Sequence, residues 1–130
     1  MISIEKQISF FLDNRPGTLA RVCSALAKEN INIMALSISD TVDSAIVRMI
    51  ANDSAGAAKT LQGLGVTVHE RDVIFMKVPN RPGMLSEIAN KLAANAINIE
   101  YAYCTGSPDQ TDGSMVLRTS DIESTLSVLS

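Results

Sequence analysis

The sequence has no tryptophan, and its aromatic side chains are Phe10, Phe11, Phe75, Tyr101 and Tyr103. No lysine or arginine stands beside another. A nucleic-acid surface needs clustered basic charge with aromatics interleaved, so at a net charge of −3 no nucleic-acid partner is expected. Cysteine is scarce too. Cys23 and Cys104 are far apart and fit neither a disulfide framework nor a metal spacing; Cys23 reads as a small buried hydrophobe on a helix. No apolar run approaches the ~20 residues that span a bilayer. The opening MISIEKQISFFLD alternates like a strand, without a basic segment leading into an apolar core. A cytoplasmic protein with no membrane partner is the expectation. His69 is the only histidine, and no nucleophile elbow, P-loop or metal constellation accompanies it. Asp109 and Asp112 share one short loop without the spaced ligands and terminal Glu of a calcium site. No catalytic residue, metal or cofactor is therefore expected, and the chain reads as a non-enzyme.

What the chain does have is a repeat. The stretch NRPGTLARVCSALAKENINI begins at Asn14 and NRPGMLSEIANKLAANAINI at Asn80, with half of the positions identical. A chain of 130 residues, 46% hydrophobic and 19% charged, is globular in composition, and the repeat divides it into two domains, 1–70 and 71–130. Units of this size bury only about 60% of their unfolded surface. Each is expected to lean on the other or on a second chain.

Residues 4–12 alternate as a strand with Ile4, Ile8 and Phe10 on one side of the pleat. Pro16-Gly17 opens a helix whose stripe is Leu19, Val22, Cys23, Leu26 and Ala27, ended by Asn30. INIMALSIS then reads as a strand with Met34, Leu36 and Ile38 on one face and Ile33 and Ala35 on the other. AIVRMIA is a further strand, Asp53-Ser54 caps a second helix stopped by Gly63 and Gly65, and VTVHE is a fourth strand. The second unit starts about two residues later with VIFMKV, followed by a helix stripe of Leu85, Ile88, Ala89, Leu92 and Ala96. Its hairpin loop is longer than the first by four residues if Ser44 is matched to Ser114. A last helix is capped by Asp121 and carries Ile122, Leu126 and Leu129. The fold class is α+β: two ferredoxin-like βαββαβ units in tandem, the second lacking its last strand. That absence leaves an open edge at residues 73–78, which either reflects truncation or is covered by a neighbour.

The repeated Asn-Arg-Pro-Gly has a definite chemistry. Proline keeps the preceding residue out of the helix and pre-sets the first turn. Glycine lets the backbone pass close to whatever lies outside. The N–H groups of residues 17–20 and 83–86 then lack intrahelical partners, and the partial positive charge at that end suits a carboxylate or phosphate. Asn14 and Asn80 add an amide able to face an ammonium. The same tetrapeptide is also good turn chemistry, because Asn can cap the helix through its own side chain. Arg15 and Arg81 read as solvated or paired with an acidic side chain.

With its DNRPGTLARV and ENINI, and again with PNRPGMLSEI and ANAINI, the chain resembles a tandem of ACT domains. The Asn-Arg-Pro-Gly form is similar to the serine-binding regulatory domain of phosphoglycerate dehydrogenase. The resemblance implies side-by-side pairing with a free amino acid held between paired domains, in a homodimer. It nominates Asn14, Pro16, Gly17, Thr18 and Leu19 with Asn32 and Ile33 opposite. In the second copy it nominates Asn80, Pro82, Gly83, Met84 and Leu85 with Asn98 and Ile99. Asp13 becomes Pro79 in the second copy, so the two sites need not be alike. Two functions follow from the resemblance: a sensor of amino-acid metabolism, or a regulatory subunit docked on a separate biosynthetic enzyme, as the small subunit of acetohydroxyacid synthase is.

Overall fold

Strand and helix alternate where the apolar period switches between two and 3.6. The computed structural model describes residues 1–130. Its elements are β1 (Ile2–Asp13), α1 (Thr18–Lys28), β2 (Ile33–Asp40), β3 (Ser44–Ala51) and α2 (Ser54–Gly63), then β4 (His69–Pro79), α3 (Met84–Ala94), β5 (Ile99–Cys104), β6 (Asp112–Thr119) and α4 (Ile122–Leu129). They form two units. The N-terminal unit holds Lys6–Arg71, and the C-terminal unit holds Asp72–Ser130 together with Met1–Glu5. No helix is long and apolar enough to cross a membrane.

In the N-terminal unit the strand order is β2-β3-β1. β3 runs antiparallel to both neighbours, with Ile8 opposite Met49 and Asp13 opposite Ser44. Alternation brings Ile8, Phe10, Val47 and Met49 to one face. There Val22 and Leu26 of α1 and Ala57 and Leu61 of α2 close over them. Full burial of each large side chain contributes roughly 1.5–3 kcal/mol. The C-terminal unit repeats the scheme with order β4-β6-β5 and a core of Ile74, Met76, Met115 and Leu117 beneath Ile88 and Leu92. Ile122, Leu126 and Leu129 of α4 pack on that core as their spacing predicts.

In the helices, Ala27, Leu85, Ala89 and Ala96 of the expected stripes are exposed, Ala96 lying past the end of α3 with a positive φ. Four details of strand topology and register also differ from the sequence reading, each for a physical reason. The two strands expected on either side of residue 71 are one, His69–Pro79, because Glu70, Arg71 and Asp72 include no glycine or proline to break the extended chain. Val66 and Val68 pack on the N-terminal core just before that strand begins.

No strand follows α4, yet the edge of β4 is covered. The Lys77 N–H donates to the Met1 carbonyl at 3.1 Å, and Ile2 and Ile4 pack on the C-terminal core. The chain's own first residues lie against the edge that the sequence reading left open.

The second hairpin loop is longer by two residues, not four. Ile8 faces Met49 whereas Ile74 faces Leu117, so the ladder, and not the Ser44–Ser114 match, sets the alignment. Finally, a register shift after Ile33 breaks the alternation of β2. Leu36 and Ile38 face the core positions Met49 and Val47, while Ala35 faces Ile50. The same irregularity recurs after Ile99 in β5.

Candidate functional site

The four helices begin in two different ways. α2 and α4 carry side-chain caps: Asp53 accepts from the Gly56 N–H at 2.9 Å and Asp121 from the Ser124 N–H at 3.0 Å. The Ser124 N–H and hydroxyl hold the Asp121 carboxyl below its usual range. α1 and α3, the two that follow Asn-Arg-Pro-Gly, have no side-chain cap. Gly17 and Gly83 stand at their N-caps with φ of 89° and 88°, a left-handed conformation that glycine adopts without steric cost. The first helical bonds are Arg21 N–H to Gly17 O and Glu87 N–H to Gly83 O. The N–H groups of Gly17, Thr18, Leu19 and Ala20 have no partner within the chain, and the same holds for Gly83, Leu85 and Ser86. Met84 has one long contact, to Arg81 O at 3.4 Å.

Each uncapped start borders a cleft. In the N-terminal unit a cleft of ≈ 820 Å³ is lined by Pro16, Gly17 and Thr18, with Arg15, Arg21 and His69 on its walls and the Leu64–Thr67 connection beyond. In the C-terminal unit a cleft of ≈ 420 Å³ is lined by Asn80, Pro82, Gly83, Met84 and Leu85, with Cys104 and Gly106 facing them. Both volumes fall within the range of small-molecule sites.

Asn14 and Leu19 do not line the first cleft. Neither asparagine caps its helix. The Asn80 amide instead donates to Ser107 O at 2.7 Å and Gln110 O at 3.0 Å, tying the turn to the β5–β6 loop and leaving only its carbonyl oxygen. Thr18 turns its hydroxyl back onto Asp13 O and Arg15 O, at 2.8 and 3.2 Å. Arg15 pairs with Asp13 and Arg81 with Glu87, as their reading anticipates.

Asn32 and Ile33, and likewise Asn98 and Ile99, line neither cleft. Asp13 faces Ser44, close to the Asp40 end of β2, whereas Ile33 faces Ala51 at the other end. At ~3.3 Å per residue the two ends of β2 are roughly 20 Å apart. The backbone of Asn32 is bonded in both directions to Asn52, and that of Asn98 to Ser120. Within one unit the loop and strand halves of the nominated site are therefore not brought together.

Sequence reasoning missed Arg21, His69 and the Leu64–Thr67 segment on one cleft, and Cys104 and Gly106 on the other. The only local signal was Gly65, whose φ of 82° marks a forced turn at the cleft wall.

Two units of βαββα order, the second joined by the extended segment Met1–Glu5 from the start of the chain, define a tandem ferredoxin-like protein. The chain belongs to the ACT domain pair family, whose model matches residues 2–130, and this pair is a regulatory fold. Among solved structures it is similar to protein BT0572 from Bacteroides thetaiotaomicron, at 36% identity and a TM-score of 0.91, over 98% of this chain and 88% of that one. It is also similar to the ligand-free regulatory subunit of aspartate kinase from Thermus thermophilus, at 16% identity and a TM-score of 0.73, over 98% and 93% of the two chains. Aspartate kinase from Synechocystis shares the fold over 98% of this chain and 25% of its own, at 22% identity and a TM-score of 0.63. Among curated proteins no match was found.

Proposed function

We propose that this protein is a non-catalytic sensor of a free amino acid, which binds at the uncapped starts of α1 and α3. One observation carries the reading. In a chain that caps its other two helices with aspartate, the two helices after Asn-Arg-Pro-Gly leave their amides without partners, and each borders a cleft. Oriented amides with the helix dipole behind them favour a carboxylate. The Asn80 carbonyl oxygen can accept from an ammonium beside it. The residues engaged are Pro16, Gly17 and Thr18 in one cleft and Asn80, Pro82, Gly83, Met84 and Leu85 in the other.

Asn32 and Ile33 join the first site from a second copy. A two-fold axis between paired β2 strands reverses one relative to the other, which brings Ile33 of one protomer level with the β1–α1 turn of its partner. Met34, Leu36 and Ile38 on that edge strand are 43%, 39% and 45% exposed, an apolar edge of the kind that invites pairing.

The experiment is a thermal-shift screen of the free amino acids. A ligand at 100 times its Kd that binds only the folded state adds about 2.7 kcal/mol, so at least one amino acid is expected to raise Tm by several degrees. Silence from all of them would refute the sensor. The second reading, a regulatory subunit docked on a separate biosynthetic enzyme, draws on the likeness in fold to the aspartate kinase regulatory subunit. Copurification of a larger enzyme with the tagged chain would select it.

A further inference from the structure

The two copies of the turn carry opposite charge one helical turn further on. Arg21 and Glu87 occupy equivalent places in the repeat. Glu87 takes up Arg81, with both carboxylate oxygens 3.0 Å from the guanidinium. At the place equivalent to Glu87 the first unit has Arg21, which offers Arg15 no counter-charge. Its ion pair with Asp13 is 3.5 Å long, between side chains 72% and 71% exposed, and such a pair contributes little. Arg21 rests one nitrogen 3.5 Å from Leu64 O on the same cleft, and His69 lines a further wall. The N-terminal cleft thus sets two guanidinium groups and an imidazole against the one carboxylate of Asp13. On the C-terminal cleft, Arg81 stands beside Val78, Pro79, Met84, Leu85 and Cys104, with its charge taken up by Glu87.

We propose that the two clefts take ligands of different class: the N-terminal one a dicarboxylic amino acid, the C-terminal one an amino acid with an apolar side chain. The proposal rests on the amino-acid reading above and names the ligand class of each site. In the N-terminal cleft the α-carboxylate meets the start of α1, and the side-chain carboxylate lies between Arg15 and Arg21, whose planar forks match a carboxylate. A cleft whose lining carries two guanidinium groups against one carboxylate also concentrates anionic ligands. In the C-terminal cleft a second carboxylate would lose its water without gaining a cation. It would also face the Asn80 carbonyl oxygen, since the Asn80 N–H donors are held by Ser107 and Gln110.

The test titrates the ¹⁵N-labelled protein with L-glutamate, L-glutamine, L-leucine and inorganic phosphate, following the amide signals of Gly17 and Gly83. Glutamate is expected to move Gly17 with an affinity about tenfold or more above that of glutamine, equivalent to about 1.4 kcal/mol. Leucine is expected to move Gly83. Arg21→Glu, at an exposed helical position, copies the second unit's Arg–Glu pair into the first. It should weaken glutamate at Gly17 by about tenfold and leave leucine at Gly83 unchanged. Glu87→Arg should let glutamate move Gly83. Glutamine, leucine or phosphate moving Gly17 as readily as glutamate, or Arg21→Glu leaving glutamate binding intact, would overturn the assignment and spare the sensor. If none of the three amino acids moved either glycine the assignment would fall, whereas the sensor itself falls only if every free amino acid is silent in the thermal-shift screen.

Discussion

Gly17 and Gly83 hold the left-handed conformation at φ of 89° and 88° with open space where a Cβ would stand. Any cost of substitution there is conformational and not steric crowding. For an L-residue that conformation costs roughly 1–2 kcal/mol. Gly17→Ala is expected to lower the stability of the N-terminal unit by about that amount, measured as the urea midpoint of unfolding; an unchanged midpoint would show that the turn relaxes freely. At this scale the repeat was legible because Pro-Gly and its neighbours act locally. The role of Asn80 was not, because the carbonyls it binds lie 27 and 30 residues along the chain. Arg21 was hidden for another reason. It falls on the exposed side of its helix, and only folding sets the Leu64–Thr67 segment across the cleft from it.

Elements were readable as far as their own period goes. Ile8 and Phe10, Val22 and Leu26, and Ile88 and Leu92 are buried as the spacing requires. Which strand lies beside which is a non-local matter, and β1 illustrates it. Its residues Ile2–Glu5 belong to the C-terminal unit and Lys6 onward to the N-terminal one. A strand of even alternation carries no mark of that division. Ile4, half-buried against the C-terminal core, provides the test. Ile4→Ala is expected to destabilise the C-terminal unit by about 1–2 kcal/mol, below the 2–5 kcal/mol seen at fully buried sites. Hydrogen exchange should quicken in β4, β6 and α3 while α1 and α2 keep their protection. The opposite pattern, with α1 and α2 opening first, would mean that the first residues serve the other unit.

At the scale of the whole molecule, the nominated site is incomplete in one copy, since the turn and Ile33 lie at opposite ends of the strands. The two-fold pairing of β2 edges proposed above would both complete it and cover Leu36 and Ile38. The bulge after Ile33 sharpens this, because it turns those two side chains toward the helix-bearing face, where a partner's α1 would meet them. β2 has neither the proline nor the lysine that blunts natural edges. Ile38→Glu would set a carboxylate in the middle of that seam. On the proposed pairing the wild-type protein has twice the 13.9 kDa chain mass in solution, and Ile38→Glu reduces it to the single-chain value. The variant's response to amino acids in the N-terminal cleft should weaken in step, because the partner's Asn32 and Ile33 leave with it, while the C-terminal cleft continues to respond. A variant that stays double in mass places the seam elsewhere. One that becomes single yet binds at full strength shows the cleft beside α1 to be sufficient alone.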